Sequence, residues 1–460
     1  MNGNSLIERL LDVLSINGTG VRFASAVMLS LGTILILGFL MTRLTKLLKL
    51  PNVTAYIIVG ILIGPFVINL IPQDFIDHTD FISDIALTFI AFTAGEFFKI
   101  EVVKKNVAKS IVITVFETIA TFALIFVVCF FAFRLEAPFA LVLASLASAT
   151  APTSTIMTIK QTEAKGHYVN TLLEVLAIDS VISLVLYTIS ISIFVGVSDG
   201  SSLTFMDIGW PLVKMIICLA IGFIFGFALR FLISSKRTTG NRLIIVVAVL
   251  LLFCGVCSIF GQSPLLGGIA IGTVYTNLSK KEEKIFAQVN YFIPPIMLLF
   301  FVRGGMSLNF SVFAKPSTLT VAPFIVIVLV FLIVRSIGKY GGAYLGGLTT
   351  SQPKETRNFL GLGLIPQASV AIALATMAVR ILRSYGDVYE DYAVALLAII
   401  LASSIIFEIV GPALAKLGLY LSHSYGENKE EVEAKKVKTQ VEVIKAEEEA
   451  YTEAAEQYKE

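Results

Sequence analysis

Residues 171–187 read TLLEVLAIDSVISLVLY, an apolar stretch interrupted by two acids, Glu174 and Asp179. The apolar run extends over 167–197, more than the ~20 residues that carry a helix across ~30 Å of hydrocarbon. Carboxylates inside a membrane are costly; they mark functional positions and call for partners. Five residues at ~100° each place the second side chain about 140° from the first. The two acids therefore serve different places.

The flanking sequence repeats the apolar pattern. Of 460 residues, 56% are hydrophobic and 15% charged, with a mean hydropathy of +0.85, more apolar sequence than a soluble core needs. The chain reads as an all-α polytopic membrane protein. Thirteen transmembrane helices are expected, near 22–42, 53–71, 82–98, 107–133, 138–159, 167–197, 209–234, 241–258, 262–278, 285–303, 319–348, 356–379 and 388–420.

Loop charge orients them, because Lys and Arg collect on the cytoplasmic side. The odd-numbered loops hold seventeen Lys and Arg, the even-numbered loops four, and the first even loop adds Asp74, Asp77 and Asp80. The expected arrangement is a multi-pass cell-membrane protein with its N-terminus outside and C-terminus cytoplasmic. Residues 1–21 contain an amphipathic stretch, SLIERLLDVL, expected at the outer interface, and the first helix reads as retained rather than cleaved. Residues 22–423 form the membrane domain, and 424–460 a Glu- and Lys-rich cytoplasmic helical tail.

Cys129, Cys218, Cys254 and Cys257 all fall within apolar helices, with no second pair to complete a zinc site. No glycine-rich phosphate loop is present. No cofactor, transition metal, nucleic acid or enzymatic activity is expected.

Two helices contain sequence that a lipid-facing helix avoids. The fifth holds ASATAPTSTIM (147–157) with Pro152; the twelfth holds GLGLIPQASVAIA (361–373) with Gly363, Pro366 and Gln367. Proline removes an amide donor, and unpaired backbone at membrane depth survives only inside protein or beside a water-filled cavity. Helices five and twelve lie seven spans apart and so run in opposite directions. Helices 1–6 and 8–13 then form two inverted six-helix repeats, with discontinuous helices crossing at the midplane, the usual location of a transporter's site. Exposed carbonyls, with the hydroxyls of Thr150, Thr153 and Ser154, are candidate ligands for a monovalent cation.

Charged groups near the middle of spans are few. Arg303 and Glu96 lie near helix ends, where snorkelling suffices; Glu117 and Glu408 receive no specific role. Arg335, in FLIVRSIGKYGG of the eleventh helix, is the candidate partner for one of the two acids in the sixth. A Glu174–Arg335 pair leaves Asp179 alone, and a lone carboxylate holds either a proton or a cation, which is ion exchange. An Arg335–Asp179 pair instead gives a static bridge and no carrier.

With these residues in view, the chain resembles the monovalent cation:proton antiporter superfamily. LKLPNVTAYIIVGILIGP (48–65), LTFIAFTAGEFF (87–98), ATAPTST (149–155), the helix of Asp179, FFVRGGM (300–306) and GLGLIPQASVAIALA (361–375) follow in that family's order. The resemblance covers about 22–420. It implies a homodimer built on helices 1–3 and 8–10, and a core of helices 4–6 and 11–13 that moves elevator-fashion. It also implies an electroneutral branch in which a Glu five residues before the Asp pairs with an Arg, a pattern that Glu174 and Arg335 fit in spacing and residue type. Ile178 and Ala151 depart from the family, standing where it carries polar or acidic residues.

The expected activity is secondary-active exchange of Na⁺, K⁺ or Li⁺ for protons, electroneutral, with Asp179 as shared carrier. Two alternatives stand beside it: a proton-coupled organic-anion symporter on the same scaffold and, from a different class, a gated potassium pathway or ligand sensor without exchange.

Overall fold

A computed structural model describes residues 5–13, 19–47, 51–98, 107–198, 205–233, 237–279, 282–308, 323–386 and 389–424. The charged tail from 425 onward lies outside them. All regular structure among the described residues is helical. The helices are α1 (Leu6–Val13), α2 (Thr19–Leu47), α3 (Asn52–Ile63), α4 (Gln73–His78), α5 (Phe81–Ala94), α6 (Val107–Val127), α7 (Ala137–Ser148), α8 (Pro152–Thr162), α9 (His167–Ser198), α10 (Phe205–Leu232), α11 (Thr239–Ile259), α12 (Leu265–Leu278), α13 (Glu282–Met306), α14 (Phe324–Thr349), α15 (Lys354–Phe359), α16 (Ser369–Ser384) and α17 (Glu390–Leu421).

Eight of these are long and apolar enough to cross a membrane. Lys354–Leu364 and Ser369–Ser384 pass the same test together, bent by 46° at their break, and α3, α5, α7 and α12 are shorter apolar helices. Each apolar stretch expected as a span contains helix among the described residues, with shifted ends. The second stops at Ile63 because Gly64-Pro65 follows. The fifth and twelfth are each two helices.

The amphipathic stretch near the N-terminus forms α1. Ser5 and Glu8 form a reciprocal cap, each backbone N–H donating to the other's side chain. On α1, Ile7 and Leu11 are buried in a cluster with Ile34, Ile71 and Phe75.

Contacts fall into two groups. In one, α6 packs on α14, α9 on α6 and α7, and α16 on α17; in the other, α3 packs on α13, and α12 on α5 and α10. Between helices in lipid, small residues set how closely backbones approach. Gly338, Gly342 and Gly346 recur every four residues along α14 and meet Thr121, Glu117 and Ile113 of α6; a Cβ at Gly338 would stand 2.6 Å from the Thr121 Cα. Facing this glycine stripe, α6 presents a polar stripe of Ser110, Thr114, Glu117, Thr118 and Thr121, all buried. The close approach brings the ionisable groups of the two helices together.

Candidate functional site

Ala149 and Ala151 are extended, so α7 ends at Ser148 and α8 restarts at Pro152. Pro152 occupies the first turn of α8, where its missing N–H costs nothing. In the second interruption, α15 tightens into a 3₁₀ turn over Leu360–Leu364, and α16 begins at Ser369 after a non-helical Ala368.

The two breaks meet and satisfy each other. The Ala151 N–H donates to the Pro366 carbonyl at 2.9 Å. Thr155 donates to the Gly363 carbonyl at 2.8 Å, and Gln367 Nε2 to the Leu146 carbonyl at 3.0 Å. Arg335 takes three more: its Nε donates to Ala147 O at 2.8 Å, one terminal nitrogen to Ala149 O at 2.9 Å, and the other to Ile365 O at 2.6 Å. One guanidinium thus caps the C-terminal ends of both half-helices, where carbonyls are unpaired and a positive charge is favoured. Phe407 covers it, the guanidinium carbon lying 4.6 Å from the ring centroid.

Beside this crossing lies a charged trio from three helices. Lys339 Nζ, on α14, is 2.7 Å from Glu117 Oε2 of α6 and 3.0 Å from Asp179 Oδ1 of α9. All three side chains are fully shielded from solvent. The other Asp179 oxygen accepts the Thr150 N–H at 3.0 Å, and the Thr118 and Ser183 hydroxyls lie 3.2 and 3.3 Å from Oδ1. Asp179 therefore sits at the start of α8, where a negative charge is favoured. Lys339 lies one turn beyond Arg335 on the same face of α14, so the two cations divide the work: Arg335 holds the breaks and Lys339 the acids.

The expected Glu174–Arg335 pair is not formed, and neither is the alternative Arg335–Asp179 bridge. Glu174 accepts the Ser110 hydroxyl. Two broken helices supply buried carbonyls that need donors, and the guanidinium fork with its five N–H groups meets three of them. Asp179 is accordingly not solitary, since Lys339 lies beside it. The two acids do occupy different places: Glu174 reaches Ser110 and Asp179 reaches Thr118, eight residues or ~12 Å further along the same helix, α6.

The expected ligand set is dispersed. Thr150 contributes its N–H to Asp179, while its hydroxyl is 3.5 Å from the Leu364 carbonyl. Ser154 donates to Glu408 on α17, its oxygen 3.0 and 3.2 Å from the two carboxylate oxygens. The Thr153 side chain lies outside the described residues. Nor does Arg303 snorkel: it is buried, paired with Asp80, and donates to the Ile76 carbonyl at 2.9 Å.

Sequence reading passed over Lys339 and gave Glu117 no role. Signals for both existed. The residues 110, 114, 117, 118 and 121 mark one polar face in an apolar helix, and Arg335 and Lys339 share a face with the glycines of α14.

Such a constellation, charged groups buried where two interrupted helices cross inside a polytopic bundle, defines a membrane transporter rather than an enzyme. The chain belongs to the sodium/hydrogen exchanger family, whose transmembrane model matches residues 31–416, within the monovalent cation:proton antiporter superfamily. It is 23% identical over 370 residues to the ammonium/H⁺ antiporter subunit AmhT of Alkalihalophilus pseudofirmus, covering 78% of this chain and 88% of that protein. Its fold is similar to two structures of the sodium proton antiporter MjNhaP1 from Methanocaldococcus jannaschii. One, at pH 8, has a TM-score of 0.67 at 18% identity, covering 85% of this chain and 98% of the other. The other, an electron-microscopy structure, has a TM-score of 0.65 at 19% identity, covering 87% and 98%.

Proposed function

We propose that this protein exchanges a monovalent alkali cation for a proton, one for one, at the Glu117–Lys339–Asp179 trio. The observation that carries this reading is the trio's charge. Two carboxylates face one ammonium in a solvent-free site, an excess of one negative charge within the trio that low-dielectric surroundings penalise, the neighbouring Arg335 being bonded to three carbonyls rather than to either acid. A proton on one carboxylate neutralises it; so does a bound cation. The cation-free form holds the proton; the cation enters on Asp179, Lys339 stays with Glu117, and the proton departs. Charge in the site is zero in both forms, so the cycle is electroneutral. Proton and cation cannot both be held, which couples them.

The Thr118 and Ser183 hydroxyls beside Asp179 supply neutral oxygens to replace part of a cation's hydration shell. Sodium, potassium and lithium are the candidate cations, and the relative's substrate adds ammonium. A net negative site favours these over an organic anion, which weighs against the symporter alternative.

In the same reading, eight long spans, one bent span and four shorter apolar helices make up thirteen crossings in two inverted repeats. The N-terminus is outside and the C-terminus cytoplasmic. The group containing α6–α9 and α14–α17 is the moving core, and helices of the other group form a homodimer.

Proteoliposomes with a trapped pH dye test the exchange. Added Na⁺, K⁺ or Li⁺ should drive recovery of an imposed pH gradient, and Asp179→Asn should abolish it. For ammonium, Asp179→Asn vesicles provide the baseline, because free ammonia crosses bilayers unaided. A rate that changes strongly under a potassium/valinomycin clamp would contradict one-for-one exchange. Since proton and cation compete, apparent cation affinity should weaken as pH falls while the rate at saturating cation holds; a pH-independent KM would rule out a shared charge.

A further inference from the structure

Glu408 lies near the middle of α17 with 7% of its surface exposed. Its only hydrogen-bond partner among the described residues is the Ser154 hydroxyl, whose one proton serves one carboxylate oxygen at a time. No described ion pair reaches it. Several charged groups on neighbouring helices are committed elsewhere: Arg335 of α14 to three carbonyls and Lys339 to Glu117 and Asp179, Lys160 of α8 toward Glu96, Arg380 of α16 to Asp84 and Arg383 to Glu390. The stretch of α3 that packs on α17 carries no charge.

A buried carboxylate so sparsely bonded is held either as the acid or with a bound cation. Two further observations favour a ligand. The Ser404 hydroxyl, one turn earlier on the same face of α17, is buried and has no hydrogen-bond partner among the described residues. Moreover, Gly411 of α17 packs against Pro366, close enough that a Cβ there would stand 2.8 Å from the proline ring. Glu408 is thereby fixed against the crossing, at the first turn of α8, where Ser154 stands.

We infer that Glu408 is the carboxylate of a second position for a monovalent cation, with Ser154 as its hydroxyl ligand, on the α8 side of the crossing and distinct from the Asp179 trio. It concentrates the cation next to the exchange site. The inference rests on the exchanger reading above, yet one of its tests does not require transport.

Glu408→Gln keeps the shape and the capacity to accept from Ser154, so a purely structural role survives it. In the proteoliposome assay this variant should raise the KM for the transported cation about tenfold while the maximal rate falls far less. Glu408→Asp should restore much of the affinity, and Ser154→Ala should shift KM in the same direction by a smaller factor. An unchanged KM in Glu408→Gln overturns the inference. So does loss of exchange at every cation concentration, which would place Glu408 inside the exchange site itself.

The second test is melting in detergent with Na⁺, K⁺ or Li⁺ chloride against choline chloride at equal ionic strength. Asp179→Asn protein should still gain thermal stability from the alkali cation, and Asp179→Asn/Glu408→Gln should not. Loss of that gain in Asp179→Asn alone overturns the second position. If wild-type vesicles show no Asp179-dependent exchange, the functional reading fails, and the melting comparison still decides for or against Glu408.

Discussion

Removing Lys339 leaves the Glu117 and Asp179 carboxylates facing one another without solvent. Breaking a buried pair from one side costs on the order of 3–5 kcal/mol. Lys339→Met should therefore lower the melting temperature markedly, and adding Glu117→Gln should recover part of the loss; no recovery would argue against direct coupling. Arg335→Lys should also destabilise, by roughly 3 kcal/mol or more, because an ammonium cannot serve three separated carbonyls and each charge-assisted bond is worth ~1.5–3 kcal/mol. Glu174→Gln, which keeps its contact with Ser110, should cost about 1 kcal/mol or less. Thermal melting of the three variants side by side checks that order. The sequence pointed to Asp179 and Arg335 because charge in an apolar run is conspicuous, and it misassigned Arg335 because pairing charge with charge overlooks backbone. Which acceptors a guanidinium finds depends on where broken helices leave carbonyls, and that is a tertiary fact.

At the level of elements, the α6–α14 contact holds the trio together. Gly342 and Gly341 are neighbours with opposite surroundings: a Cβ at Gly342 collides with α6 at Glu117, while at Gly341 nothing lies within 4 Å. Gly342→Leu should cost at least the ~1–3 kcal/mol of overpacking and should abolish exchange by separating Lys339 from Glu117. Gly341→Leu should leave both melting temperature and transport near wild type. Equal effects would mean that the stripe does not set the approach. Helix positions were readable from the sequence since apolar length and loop charge fix them. The interruptions were readable from Pro152 and Pro366, whereas the mutual bonding of the breaks was not, because it joins residues more than two hundred positions apart.

For the whole molecule, ion pairs bridge the two helical groups near opposite ends. Arg380 of α16 reaches Asp84 of α5 at 3.2 Å and Asp80 at 3.6 Å, and Lys160 of α8 lies 4.0 Å from Glu96. Beside the Arg380 end is a cavity of about 410 Å³ lined by Tyr187, Ile191, Trp210, Met377 and Ile381. Arg380 is partly exposed, so the bridge is worth a fraction of a kcal/mol to about 1 kcal/mol and weakens with salt. If the groups slide past each other, Arg380→Gln should speed labelling of an Ile381→Cys variant by an impermeant thiol reagent. Labelling that does not depend on Arg380 would show that the bridge does not restrain this face.

The Ala151–Pro366 hydrogen bond and the three carbonyls gathered by Arg335 rivet the two interrupted helices into one unit. In the proposed movement of the core, a unit of that kind carries its coordination shell unaltered between the two faces of the membrane. That proposal predicts equal intrinsic affinity on either side and no rectification: reversing the two gradients should reverse the flux with no change in half-saturation.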